Sequence, residues 1–183
     1  TNVFHRVSGN KDELDAYVDY VLSIYQNIPS DSQFTTNDAA RTKGEELLEL
    51  GNVAKLRAEY GLANTRYKEA LNRFISIDHT NGIVEVHLHL GAVNISKGDY
   101  GPAQMEFEAA LSKAQAQGLY LACIDAQIGL GLCFQRMGQY PQALEKFDSA
   151  LILVEGIEDN VRESQIFGYT GRTYLDLGEY STA

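Results

Sequence analysis

The segment "VHLHL" places two histidines, His87 and His89, one residue apart. Paired imidazoles hold a transition metal when their nitrogens reach a common point, which on a helix needs a spacing of three or four. A spacing of two sends them to different faces, so packing is the better reading and no metal site is expected. Cys123 and Cys133 are the two cysteines of the chain. A nucleophilic thiolate needs a base beside it, and neither has a histidine nearby in sequence. Their spacing fits neither a zinc site nor a disulfide framework, so both are expected as small buried apolar residues in an intracellular protein. "GLGLC" (129–133) has too little glycine for a loop that cradles phosphate. No catalytic residue, cofactor or metal ligand is expected, and the chain reads as a non-enzyme.

What remains is binding, and composition narrows the partner. The formal net charge is −10 over 183 residues. Nucleic-acid binding rests on Lys and Arg against phosphate, and docking on anionic lipid rests on the same side chains, so both are disfavoured. An acidic surface suits basic or neutral partners. Hydrophobic residues make up 44 %, enough for a core. No apolar run approaches the ~20 residues of a membrane span. With the two cysteines read as free thiols, a cytoplasmic location is expected. The start, "TNVFHRVSGNKDELD", shows no signal peptide and no initiator Met, so a piece of a longer chain is expected.

The elements that must present a binding surface are written as a repeat. "KGDYGPAQMEFEAAL" (97–111) and "MGQYPQALEKFDSAL" (137–151) carry the same residue types at the same places, 40 positions apart. Gly51, Gly91, Gly131 and Gly171 form one column; Tyr60, Tyr100, Tyr140 and Tyr180 another; Ala63, Ala103, Ala143 and Ala183 a third. Tyr67, Phe107 and Phe147 follow, then Ala70, Ala110 and Ala150. Apolar spacing within a unit is helical, not alternating. Glycine inside a helix costs about 1 kcal/mol against alanine, so close approach of a neighbouring helix backbone is expected there. The alanines mark contact points of the second helix, and the aromatic between them fills the groove. Gly98, Gly138 and Gly178 suit a left-handed turn between helices, with Ala58 in the first unit expected to turn differently.

This pattern resembles the tetratricopeptide repeat. Its Leu-Gly pair, Gly-x-Tyr turn, Ala, aromatic and Ala are matched at Leu130, Gly131, Gly138, Tyr140, Ala143, Phe147 and Ala150. The family's frequent Trp is replaced by Leu47, His87, Gln127 and Phe167, and the period is 40 rather than the usual 34. Longer units of this kind look like those of Partner of Inscuteable-type adaptors and bacterial signalling proteins. The resemblance implies an all-α fold, a right-handed superhelical array of antiparallel helix pairs, each burying its face against the next. It implies a protein-protein interaction module that takes a peptide or helical segment in a concave groove. Carried over position by position, the groove is lined by Glu45, Leu48, Asn52, Lys55 and Leu56, then Glu85, Leu88, Ala92, Ile95 and Ser96. Asp125, Ile128, Leu132, Gln135 and Arg136 follow, and Arg172 stands in the fourth unit. Glu45, Glu85 and Asp125 would form an acidic rail beside Leu48, Leu88 and Ile128, suited to a basic amphipathic partner. A clamp for a C-terminal acidic peptide is not implied: Asn52 matches it, but Leu48, His89, Asp125 and Gly129 do not.

The expected helices run over 38–57, 59–76, 82–97, 99–117, 120–137, 139–155 and 160–177. "DHTNG" (78–82) and "GIEDN" (156–160) read as turns between units, and Thr35 with Asp38 as a capping box. Residues 1–37 are expected as a capping helix or degenerate repeat plus loop. Within 12–26, Ala16, Tyr20, Ser23 and Ile24 echo a second helix. The array proper takes 38–183, in units 44–83, 84–123, 124–163 and an incomplete 164–183. The unpaired last helix should leave Ile166, Phe167, Tyr169 and Tyr174 bare. Two other readings are a regulatory region of a larger signalling protein and a self-assembly module that pairs through the incomplete unit.

Overall fold

Each 40-residue unit folds as a helix, a tight turn and a second helix. The computed structural model describes Ala16, Tyr17, Asp19, Tyr20, Ser23 and Ile24, and residues 36–157 and 159–178. Among the described residues lie seven long helices and no strand: α1 (Thr36–Leu56), α2 (Tyr60–Ser76), α3 (Thr80–Lys97), α4 (Tyr100–Gln117), α5 (Tyr120–Arg136), α6 (Tyr140–Glu155) and α7 (Asn160–Leu177). Two compact units are distinguishable, Thr1–Gly82 and Ile83–Ala183. In the first, α1 lies along α2; in the second, α5 lies against both α4 and α6, and α6 against α7.

The columns become the core. Ala63, Ala70, Ala103, Ala110, Ala143 and Ala150 are fully buried, and Tyr67, Phe107 and Phe147 lie between them almost without exposure. Burying each such aromatic contributes roughly 1.5–3 kcal/mol. The glycine column serves these rings, and not a neighbouring helix backbone as its position suggested. A Cβ at Gly91 would fall 2.7 Å from Phe107 Cζ, one at Gly131 2.7 Å from Phe147 Cδ1, and one at Gly51 2.5 Å from Tyr67 Cδ1. Three further glycines, outside that column, do the same. Phe107 is also pressed by Gly129 of α5, and Phe74 sits between Gly44 of α1 and Gly82 of α3.

Gly82 therefore belongs to a helix and not to the turn that "DHTNG" suggested. α3 starts at Thr80 because His79 caps it: the Gly82 N–H donates to His79 Nδ1 at 3.0 Å, and the His79 ring rests 5.2 Å from that of Phe74. "GIEDN" does separate α6 from α7, and Asp159 caps α7 by accepting from the Arg162 N–H at 3.1 Å. Hydrogen bonds from Arg162 hold the Asp159 carboxyl below its ordinary range. The capping box with Thr35 lies outside the described residues, as do Tyr180 and Ala183.

The first-unit turn does not differ from the others. Ala58 takes φ 58°, beside Gly98 at 82° and Gly138 at 72°. Its N–H donates to Lys55 O at 3.0 Å and that of Glu59 to Ala54 O at 2.9 Å, the same pair of bonds that Gly98 with Asp99 and Gly138 with Gln139 make. The helix end imposes the left-handed conformation whatever the residue. For alanine this costs about 1–2 kcal/mol, partly offset by its stiffer unfolded chain. Ala58→Gly is expected to stabilise the protein by about 0.5 kcal/mol and Gly138→Ala to destabilise it by about 1 kcal/mol. Urea midpoints that move in the opposite directions would show that the turn is not the determinant.

The last described helix is covered differently from expectation. Ile166 is fully buried and Tyr169 half-buried, the latter stacked on Phe147 with ring centroids 5.8 Å apart. Both face the preceding pair. Phe167, 56 % exposed, and Leu175, 48 % exposed, are among the large apolar residues that α7 shows to solvent, with Val161 and Leu177. Ala16, Tyr20, Ser23 and Ile24 are helical and exposed, whereas the alanines and aromatics they echo in α2 are buried. Tyr17 is the half-buried one, its hydroxyl donating to Glu49 Oε2 at 3.3 Å.

Candidate protein-binding surface

The stripe expected to meet a partner runs along the first helix of each pair. In α1, Glu45 is paired on its own helix with Arg41 at 2.9 Å. Leu48 and Asn52 are buried. The Asn52 amide oxygen accepts from the Tyr67 hydroxyl at 2.7 Å. Lys55 is half-buried, and that burial pushes its ammonium below the ordinary lysine range.

In α3, Glu85 is exposed, with His89 Nε2 at 4.0 Å. Leu88 and Ile95 are half-buried and pack on the core around Ala103, Phe107 and Leu130; Ala92 is half-buried. In α5, Ile128 and Leu132 pack beside Ile124 and Phe147 while keeping part of their surface open. Gln135 is buried, and its amide donates to Thr173 Oγ1 of α7 at 3.0 Å. Leu56, Ser96, Arg136 and Arg172 are exposed.

Asp125 does not stand open as one rail of acid. Arg162 reaches it from the next helix pair, Nε to Oδ1 at 3.0 Å and Nη2 to Oδ2 at 3.2 Å. The same guanidinium holds Asp159 at 2.6 Å, and the two carboxylates raise its pKa further, Asp125 first. A forked pair of this kind fixes register between α5 and α7. The exposed charges on the second-unit stripe thus include Glu85, Arg136 and Arg172.

Arg162 and Thr173 escape sequence reasoning. They lie 37 and 38 residues from their partners, off the 40-residue columns, and their counterparts one unit earlier are Ala122 and Cys133. His87, in the family's Trp place, is half-buried and its Nδ1 lies 2.7 Å from Glu106 Oε2 of α4. This links the two helices of one pair. Cys123 and Cys133 are buried and free. Burial, with Glu108 adding to it, pushes the Cys133 thiol up to about 12. Among the described residues no group of three His, Cys, Asp or Glu could hold a metal. No described helix is long and apolar enough to cross a membrane.

No protein-family model and no curated protein matches the sequence. Solved structures do match. RapI, in its apo form, aligns over 93 % of this chain with a TM-score of 0.75 at 13 % identity. The C-terminal TPR-containing domain of a Plasmodium falciparum FK506-binding protein aligns over 81 % of this chain and 97 % of its own length, with a TM-score of 0.60 at 21 % identity. The fold is that of tetratricopeptide (TPR) repeats. The chain spans 46 % of the length of RapI. The chain reaches that fold with units 40 residues apart and with His87 and Gln127 where tetratricopeptide repeats often have Trp.

Proposed function

We propose that the chain is a non-catalytic protein-binding module, and that in the unit Ile83–Ala183 a peptide or helical segment of a partner lies across α3, α5 and α7. The observation that carries this is the composition of one stripe. Ala92 and Leu132 remain partly open on a stripe that also carries an exposed acid, Glu85, and an exposed base, Arg172. Leu88, Ile95 and Ile128 give the apolar floor, and the aromatic–glycine wedges beneath keep that floor rigid. The partner segment is amphipathic, with a Lys or Arg for Glu85 and an acid for Arg172. In α1 the matching positions supply Glu45 and Lys55. Neither nucleic acid nor membrane is a partner on this reading, and the protein acts in the cytoplasm.

A second reading is a regulatory region within a larger signalling protein. It uses the same surface. Self-assembly through α7 is the third, resting on exposed Phe167 and Leu175.

A photo-crosslinking amino acid placed at Ala92 or Leu132 in cells is expected to trap a defined protein. The same probe at exposed Glu155 is expected to trap none. Reversing both charges, Glu85→Lys with Arg172→Glu, is expected to abolish the crosslink while leaving thermal stability within about 0.5 kcal/mol, as for exposed charges. Equal trapping from all three probe sites, or a crosslink indifferent to the charge reversal, removes the stripe as the binding surface.

A further inference from the structure

Lys and Arg number 15 in this chain against 25 Asp and Glu, yet three of those cations gather about one cleft. It opens between α1 and α2 with a volume of about 570 Å³. Leu47 and Leu50 form an apolar floor, Arg66 and Arg73 line the α2 side, and Lys43 faces them from α1. Two of the cations are engaged within their own helices, Lys43 with Glu46 at 2.8 Å and Arg66 with Glu69 at 2.9 Å. Pairs between such solvent-exposed side chains contribute about 0.2–1 kcal/mol and exchange readily for a better acceptor. Arg73 has no ion-pair partner among the described residues.

The spacing of the two arginines along α2 points to the ligand. Arg66 and Arg73 are seven residues apart on one face of α2, about 10.5 Å along the axis at 1.5 Å per residue. A chain in the polyproline II conformation repeats its face every three residues, about 9.3 Å. Carboxylates three residues apart would therefore meet both arginines, and the side chains between them would lie on Leu47 and Leu50. From this we infer that the α1–α2 cleft is a second binding site, one that takes an extended acidic peptide segment of a partner protein. Arg66 and Arg73 grip successive carboxylates and Lys43 adds charge from the facing wall. Glu46 and Glu69 hold the cations in place when the site is empty. None of the stripe residues of α1 lines it, so the cleft and the stripe can be occupied independently.

The test is fluorescence anisotropy of the full chain with a fluorescein-labelled peptide, Glu-Ala-Pro-Glu-Ala-Pro-Glu, at low ionic strength. Saturable binding is expected. Arg73→Ala and Arg66→Ala should each weaken it at least about tenfold, the effect of losing one charged hydrogen-bonding group. Glu69→Gln, which removes a competing carboxylate, should tighten it. Arg172→Ala, on the stripe, should leave it unchanged, and the peptide with Gln in place of each Glu should not bind. Thermal melts of the variants check that the fold persists. No saturable binding, an Arg73→Ala variant that binds like the parent, or displacement by inorganic phosphate at the same concentration as by unlabelled peptide would each overturn the inference. Loss of binding in Arg172→Ala alone would assign the peptide to the stripe and overturn it as well.

Discussion

Gly131→Leu is expected to lower stability by at least about 2–3 kcal/mol, although leucine is the better helix former. The helix gains about 1 kcal/mol from losing a mid-helix glycine. Against this, even a Cβ at that position would lie 2.7 Å from Phe147 Cδ1, and Phe147 is fully buried between Ala143 and Ala150 of the same helix. Overpacking a closed site costs about 1–3 kcal/mol for a few added methylenes, and a whole isobutyl group stands at the upper end or beyond. Gly168 supplies the control. It lies within α7, exposed, with nothing within 4 Å of a Cβ, so Gly168→Ala keeps the propensity gain without the clash and should stabilise by about 0.5–1 kcal/mol. The second control shrinks the ring: Phe147→Leu should cost less in a Gly131→Ala background than in the parent, by the double-mutant comparison. Urea midpoints give all of these values. A Gly131→Leu midpoint equal to that of the parent would mean that the ring does not need the glycine.

Phe107→Ala is expected to cost about 3–5 kcal/mol, the range for truncating a buried aromatic. The ring is 4 % exposed and is pressed by Gly91 from α3 and Gly129 from α5, so its loss opens a void bordered by three helices that glycine cannot refill. The same cluster contains Ala103, Leu130 and Cys133. That gives a local readout. In the parent, burial keeps the Cys133 thiol protonated at pH 8 and closed to reagents. Labelling of Cys133 by a thiol reagent should therefore be slow in the parent and at least about tenfold faster in Phe107→Ala, because the opening free energy falls by more than 1.4 kcal/mol. Labelling of Cys123, which lies with Ala110, Ala114 and Ala126 in a separate cluster, should rise less. Equal acceleration at both cysteines would indicate global loosening in place of a local wedge.

The binding stripe shows how far a repeat pattern carries. Positions counted along the first helices include Glu85 and Arg172, both exposed. The same count gives Asn52 and Gln135, whose amides are spent on Tyr67 and Thr173, and Asp125, held by Arg162. A column lists residue types and says nothing of a side chain that arrives from another helix.

The sequence alone determined the helices, their pairing and the core columns. Each is a local or periodic property: apolar spacing selects helix, glycine or its substitute ends it, and small residues at fixed intervals mark where helices touch. Ala58 is the exception: its residue type suggested a different turn, and the structure gives it the same left-handed one. The tertiary structure alone decided what fills the space beside each glycine, a ring and not a backbone. It also decided that Ile166 is covered while Phe167 is not, and that Lys43, Arg66 and Arg73 from two helices share one cleft. Those outcomes depend on side-chain reach and on the distance between packed helices, and neither quantity is written in the spacing of residues along one chain.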